Sequence, residues 1–238
     1  MPTSDLQGDP LWWVSLLFRG LPKAQRCQVE HSLAGAPRRS GRVGILRGME
    51  SLRRQLRGSR WNLSIARALA EEISGDKAGV RALVRELFGD EAEVRKRAAD
   101  VARRITEKDG RLLERYFDEL AGLLETLPLD ENRTRWHLGL VMPRVAHTQA
   151  QRLRAARTMW VLSEDKSNVV RCSAVEGLGL LALRETSLRD EAEEMVERYL
   201  REGTNKAMKS RARGVKRLFE SAAYSRKKSE RTRAIARM

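Results

Sequence analysis

Four arginines recur at near-regular intervals and could bind anions. Arg95, Arg135, Arg171 and Arg211 follow one another at spacings of 40, 36 and 40 residues. A guanidinium group binds a carboxylate or a phosphate through two parallel hydrogen bonds. The row therefore indicates either ion pairs with acids of neighbouring segments or a line of cations that follows a phosphate backbone. We favour ion pairs, because rows of charge on helices usually stabilise or solvate a protein.

Acidic residues precede three of these arginines by five or six positions. Asp90, Asp130 and Asp165 occupy these places, and Thr204 or Asn205 stands at the corresponding place of the fourth. An aspartate directly before a helix accepts hydrogen bonds from the free N–H groups of its first turn. We expect the three aspartates to cap helices and the arginines to reach an aspartate of a neighbouring repeat.

The C-terminal end of the chain holds a second concentration of cations. Residues 203–238 carry 12 Lys and Arg against two Asp and Glu, whereas residues 49–202 carry 28 against 27. Such a block of like charge is typical of a nucleic-acid-binding arm or of a solvated tail, and both interpretations stay open. The residues that could contact nucleic acid here are Lys206, Lys209, Arg213, Lys216, Arg217, Arg226, Lys227 and Lys228.

Trp136 is the aromatic residue that could contribute to binding. It follows Arg133 and Arg135 in the sequence, and an exposed indole among arginines can stack on a nucleobase. Helix packing is the more common role of a tryptophan. We take packing as the default for Trp61, Trp136 and Trp160 alike.

No group of residues predicts a catalytic or metal centre. His137 and His147 are ten positions apart, so they do not share one helical face as metal ligands would. Gly177 and Gly179 lack the third glycine of a nucleotide-binding loop and indicate a close approach of helices. Cys172 is expected to be a small buried residue. We therefore expect no catalytic residue, no metal and no cofactor.

The cysteines and the apolar N-terminal stretch bear on the compartment. Cys27 and Cys172 form no CxxC motif and suggest no disulfide framework, which is compatible with a cytoplasmic protein. The apolar stretch at 11–18 is far shorter than the roughly 20 residues that span a bilayer. Asp5 and Asp9 precede it, whereas a signal peptide has a basic region there. We expect a cytoplasmic protein with no membrane partner.

The elements that would position these residues are helices throughout. Apolar residues recur every three or four positions, and no segment alternates with a period of two. Pro143 is expected to kink or end its helix, and Ser187 with Asp190 resembles a capping box. The pattern predicts helices over about 62–74, 80–88, 94–105, 112–124, 131–146, 149–162, 167–183, 188–201 and 205–222.

These helices form a repeat. GDEAEVRKRAADVA at 89–102 recurs in outline at 129–142 and 164–178, and a worn copy covers 204–219. A period of this length is typical of stacked helical pairs. An aspartate followed by Val-Arg or Thr-Arg and then alanine resembles HEAT repeats. The matching positions are Asp90, Val94, Arg95, Ala98; Asp130, Thr134, Arg135; and Asp165, Val170, Arg171, Ala174.

The resemblance implies a fold and a division of the chain. It implies an all-α protein, an α-solenoid of about five HEAT-like antiparallel helix pairs, over residues 49–222. Residues 223–238 would be a basic tail. Residues 1–48 hold four of the six prolines and show no sustained helical period, so they are an extension, or translation begins at Met49, or Trp12, Trp13 and Phe18 cover the end of the stack.

Two functions follow from the resemblance and the charge. The first is a non-enzymatic HEAT-repeat scaffold that binds another protein on its concave face. The alternative is a nucleic-acid-binding HEAT-like protein, with an alkylated-base DNA glycosylase as the enzymatic extreme. The position of the arginine side chains distinguishes the two functions. A continuous basic groove of Arg95, Arg133, Arg135, Arg171 and Arg213 favours nucleic acid, whereas pairing of these arginines with aspartates favours the scaffold.

Overall fold

The described part of this computed structural model covers residues 51–203 and 206–235, with side chains up to residue 223. The chain divides into two compact units, Met1–Ser51 and Leu52–Met238, and the helices named below belong to the second. Within these described residues there is no strand, which confirms the all-α prediction. The predicted extension at 1–48 and its aromatic residues lie outside the described part of the chain.

Helices follow one another with short connections. A first helical stretch covers 52–57, and single 3-10 turns lie at Gly110–Leu112, Glu114–Tyr116 and Thr186–Leu188. The α-helices are α1 (Leu63–Ser74), α2 (Lys77–Leu87), α3 (Ala92–Lys108), α4 (Phe117–Thr126), α5 (Asn132–Val145), α6 (Gln149–Ser163), α7 (Asn168–Ala182), α8 (Arg189–Glu202) and α9 (Lys206–Ile235).

The helices pack in two rows. Helices α1, α3, α5, α7 and α9 contact one another in that order and are here called the odd row. The even-numbered helices cover them: α2 packs on α1 and α3, α4 on α5, α6 on α5 and α7, and α8 on α7 and α9. Each apolar stripe is buried between the rows. Leu83, Leu120, Leu138 and Leu178, one from each of four helices, are fully buried there.

The helix boundaries agree with the periodic pattern except in two places. The long helix predicted over 112–124 is instead two 3-10 turns followed by α4. The Asp109 side chain accepts a hydrogen bond from the Arg111 N–H at 2.9 Å and starts the first turn. Leu113 and Tyr116 are buried from these turns, which produces a helix-like apolar spacing. Helix α9 continues to Ile235, beyond the predicted end near 222, because its polar residues are good helix formers.

Helix capping also differs from the prediction. Helix α8 has no side-chain cap, and the Ser187 hydroxyl donates to Glu185 instead. A full capping box lies at the start of α6, where Thr148 Oγ1 accepts from the Gln151 N–H at 3.2 Å and Gln151 Oε1 accepts from the Thr148 N–H at 3.0 Å. Pro143 lies in the last turn of α5, which ends two residues later.

Glycines allow the closest helix contacts. Gly177 of α7 is buried against the side chain of Met159 in α6, and Gly179 faces Val215 of α9. A Cβ atom at Gly179 would lie 3.1 Å from Val215 Cγ2 and even closer to its other methyl group. These contacts confirm that the glycine pair serves helix packing.

Across the described residues, no helix is both long enough and apolar enough to cross a lipid bilayer.

Candidate nucleic-acid interface

Two of the four recurring arginines form largely buried ion pairs between neighbouring helices of the odd row. Arg95 of α3 binds both carboxylate oxygens of Glu131 at the start of α5 through Nε and Nη2, with Nε 2.9 Å from Oε2. Arg135 of α5 contacts Asp165 in the turn before α7. Arg57 makes a similar contact with Glu91, Nε to Oε2 at 2.9 Å. Each cation therefore ties its helix to an acid that precedes a later odd-numbered helix.

The acids of these pairs differ in part from the aspartates expected. Asp90 and Asp130 are exposed, and the partners lie one residue later, at Glu91 and Glu131. Both glutamates occupy the N-cap position without a side-chain capping bond. The longer glutamate side chain reaches the arginine from the helix start. Only Asp165 pairs as the spacing predicts.

The other two arginines behave differently. The guanidinium carbon of Arg171 lies 5.8 Å from the centre of the Tyr199 ring, and the Tyr199 hydroxyl donates to the Arg171 carbonyl. Arg211 Nη1 binds Glu176 Oε2 at 2.5 Å, in the preceding odd-numbered helix. The recurring arginines therefore do not line one continuous basic groove, since Arg95 and Arg135 are occupied inside the stack.

Trp136 forms the centre of a distinct cluster on the odd row. Its indole is partly exposed on α5. The guanidinium carbons of Arg103 from α3 and Arg133 from α5 lie 5.8 and 5.6 Å from the ring centre. The buried His137 ring lies 4.4 Å from the indole, at an interplanar angle of 31°. These four residues and Asp100 are here called the tryptophan site.

Asp100 binds several of the side chains that surround the tryptophan site. Its carboxylate is 8% exposed in the middle of α3. The Trp61 indole N–H donates to Oδ2 at 3.3 Å, and Arg104 Nη2 lies 3.0 Å from Oδ1. Arg103 Nη2 reaches the same oxygen at 3.4 Å. A buried carboxylate with three donors fixes the positions of the groups around it.

The electrostatics of the tryptophan site are positive. Burial is the main cause that lowers the pKa of His137 from 6.5 to about 4; the Asp100 carboxylate opposes this shift, and Arg103, Arg104 and Arg133 add to it. The imidazole is therefore neutral at neutral pH, and its Nδ1 is buried without a hydrogen-bond partner. Arginine charge exceeds the charge of Asp100, so the site attracts anions.

Arg133 is the cation of this site that can meet a ligand. Its side chain is exposed, and in the described part of the chain no carboxylate pairs with its guanidinium. By contrast, Arg103 is fixed by Asp100 and Glu107. The site thus combines a fixed cation, a free cation and an aromatic surface.

Helix α9 presents the second basic surface. Met208, Ala212, Val215 and Phe219 are buried on one face, as its apolar spacing predicts. Lys209 is half-buried, and Lys216 Nζ pairs with Glu197 at 3.1 Å. Arg226, Lys227 and Lys228 belong to the helix, but their side chains lie outside the described residues. The exposed cations, here called the α9 basic face, are Lys206, Arg213, Lys216 and Arg217.

Trp61 and Trp160 are partly exposed rather than buried in the core. The Trp160 indole N–H donates to Glu191 Oε2 at 3.2 Å, and that of Trp61 to Asp100. Cys172 is buried, and its burial raises the pKa of the thiol. No cluster of three or more His, Cys, Asp or Glu side chains within the described ranges could hold a metal ion.

Sequence reasoning named Arg133 and Trp136 but missed Asp100 and Arg103. One signal was present: Asp100 is a charged residue inside the otherwise apolar run AADVA, where a core position is expected. An acid at a core position needs partners. Arg103 and Arg104 lie within one helical turn of Asp100, but Trp61 lies 39 residues earlier, so only the folded structure identifies it as a partner.

Comparison with known proteins assigns no family. No protein-family profile matches the sequence, and no curated protein matches it. The crystal structure of an engineered protein from the Northeast Structural Genomics Consortium is similar, with a TM-score of 0.49 at 16% identity. The match covers 90% of this chain and 98% of that chain. A similarity at this level carries no conclusion about function.

Proposed function

We propose that this chain is a nucleic-acid-binding protein with a HEAT-like α-solenoid. The observation that carries the proposal is the α9 basic face. Its apolar residues anchor α9 on α7 and α8, while Arg213 and Arg217 point cations into solvent on the opposite face. None of the described acids pairs with either arginine. A helix fixed in this way offers a preorganised row of cations to phosphates.

The distribution of charge supports a polyanion as the ligand. The stretch 203–238 carries 12 basic and two acidic residues, whereas the body from 49 to 202 is nearly balanced. Binding through such a surface releases counterions, so the affinity falls steeply as salt rises. Contacts of this kind are largely independent of base sequence. The proposal includes no catalytic step.

A protein-binding scaffold is the second candidate. The buried pairs of Arg95 with Glu131 and of Arg135 with Asp165 favour it, because they give these arginines a structural role. Apolar side chains are also exposed at Leu129 in the α4–α5 turn, at Val161 near the end of α6 and at Val169 at the start of α7. Stacked repeats commonly bind partners along an extended surface.

The test is fluorescence anisotropy with the full chain and labelled DNA, single-stranded and duplex, over a salt series. The triple variant Lys206→Glu, Arg213→Glu, Arg217→Glu should weaken binding at least tenfold and lower the slope of log affinity against log salt by about two to three. A matched control reverses three exposed cations elsewhere: Arg67→Glu, Lys77→Glu, Arg157→Glu.

The two variants carry the same net charge, so a difference between them locates the surface. Equal weakening by both would show an effect of total charge alone and would overturn the assignment to α9. Absence of binding by the unmodified chain to either DNA at about 50 mM salt would reject the nucleic-acid function and leave the scaffold.

A further inference from the structure

We propose that the tryptophan site binds an unpaired base of a single-stranded nucleic acid, with the base stacked on Trp136 and its phosphate on Arg133. The inference rests on the proposed nucleic-acid function and adds the class of ligand. It concerns α3 and α5, a part of the odd row distinct from the α9 basic face.

Neither flanking guanidinium is stacked closely on the indole. Arg189 lies 3.6 Å from the centre of the Phe219 ring, which is direct stacking. Arg103 and Arg133 lie over the ring of Trp136 at 5.8 and 5.6 Å from its centre, which is farther away than a directly stacked group. A base needs one open ring face and stacks more closely than these distances. Trp136 is partly exposed, so a base can approach its side chain from solvent.

The site is fixed before a ligand arrives. His137 is 7% exposed and packs against the indole, which sets the orientation of the ring. Asp100 holds Arg103, and Glu107 contacts the same guanidinium. Binding therefore orders few additional side chains, and little conformational entropy is lost. Arg133 is the one flanking cation that remains exposed.

Charge and stacking together select the ligand. An aromatic surface alone also suits quaternary ammonium ligands, but Arg103, Arg104 and Arg133 repel cations from this site. A ligand with a flat ring and a phosphate satisfies both features. In a duplex the base faces are already stacked, and exposing one requires unstacking and unpairing it. A single strand presents its bases without that cost.

Trp160 provides the matched control. It is likewise partly exposed, and Arg198 lies 5.8 Å from its ring centre. Its indole N–H is bound to Glu191, and Arg198 pairs with Glu164 at 2.8 Å. The acids around Trp160 repel phosphate, so this tryptophan should not contribute to binding.

The experiment compares the full-length variants Trp136→Leu, Arg133→Gln and Trp160→Leu. Affinities are measured for oligothymidylate, for duplex DNA of the same charge, and for inorganic polyphosphate. Trp136→Leu should weaken oligothymidylate binding about 5- to 150-fold, the value of one stacked base. Arg133→Gln should weaken it about 3- to 10-fold. Trp160→Leu should change it less than twofold.

Duplex and polyphosphate binding should stay within twofold for Trp136→Leu. Equal losses for all three ligands, or no loss for oligothymidylate, would overturn the stacking site. A competing acidic peptide that displaces oligothymidylate from Trp136 at equal charge concentration would also overturn it. If Trp136→Leu fails to fold, Arg133→Gln at an exposed position decides the question. If the unmodified chain binds neither DNA, the proposed function itself fails, an outcome separate from a neutral Trp136→Leu.

Discussion

Arg135 and Asp165 form an ion pair between α5 and the turn before α7, with side chains only 7% and 3% exposed. Asp165 also accepts a hydrogen bond from the Ser167 N–H at 2.7 Å, which fixes the turn. Two opposite charges so far from solvent stabilise each other, and either one left alone would be a buried, unpaired charge. The pair therefore joins two helices of the odd row.

Arg135→Met should lower the free energy of unfolding by about 3–5 kcal/mol, because it leaves the Asp165 carboxylate buried without its partner. The double variant Arg135→Met, Asp165→Leu should recover most of that loss. Urea denaturation followed by circular dichroism measures both. The exposed pair of Lys108 and Glu71 is the control, and Lys108→Met should cost far less. A cost below 1 kcal/mol for Arg135→Met would contradict the role given to the pair.

The free energy of unfolding should decrease at acidic pH because His137 is buried in its neutral form. Its pKa is about 4 in the folded protein, because of burial, against 6.5 for the free side chain. The unfolded chain therefore takes up a proton as pH falls through 6.5, whereas the folded chain takes it up only near 4. The part of the stability that depends on neutral His137 is fully present above pH 6.5 and is lost between pH 6.5 and pH 4. At pH 5 the loss should be about 1–2 kcal/mol.

The measurement is urea denaturation at pH 7 and pH 5 for the unmodified chain and for His137→Gln. The carboxylates titrate alike in both proteins, so the difference between the two pH dependences isolates the imidazole. The variant should lose less stability on acidification than the unmodified chain. Equal losses would show that His137 does not gain its proton in this pH range on unfolding.

Alanine substitutions at two glycines should change the stability of the protein in opposite directions. At Gly179 the new methyl group would press on Val215 of α9, and the overpacking should cost about 1–3 kcal/mol. At Gly214, on α9 itself, nothing lies within 4 Å of the added Cβ. Gly214→Ala should therefore raise helix stability by about 0.5–1 kcal/mol. Melting temperatures measured side by side test the pair, and a shift of the same sign in both would refute it.

Loss of the capping box at Thr148 should lower the stability, whereas substitution of Ser187, where the sequence predicted a capping box, should not. Thr148→Ala removes the acceptor of the Gln151 N–H and should cost about 1 kcal/mol. Ser187→Ala removes no capping bond, and its cost should be within about 0.5 kcal/mol of zero. Urea midpoints of the two variants make the comparison, which fails if Ser187→Ala proves the more costly.

Most helices could be predicted because each buries one apolar stripe, and a stripe leaves a 3.6-residue period in the sequence. The segment 112–124 shows the limit of that argument. Buried Leu113 and Tyr116 have helix-like spacing, yet the backbone there turns twice in 3-10 geometry before α4 begins. The period reports which side chains face the core, and tight turns can produce the same spacing.

The sequence predicts the part of each candidate site whose residues are close together in the chain. The α9 basic face and the residues Arg133 and Trp136 are local in sequence, and composition alone points to them. Asp100, Trp61 and Trp136 are brought together from three segments, and their contact depends on how α3 packs against α5 and on the residues before α1. Such contacts leave no periodic signal in one sequence.

The ion pairs between helices tolerate a variable loop. Arg57 and Glu91 are 34 residues apart, Arg95 and Glu131 are 36 apart, and Arg135 and Asp165 only 30 apart. The acid is a glutamate at the helix start in two pairs and a shorter aspartate in the turn in the third. The connections between these helices can therefore gain or lose residues and keep the ion pair that joins the helices, provided that a carboxylate still reaches the arginine guanidinium.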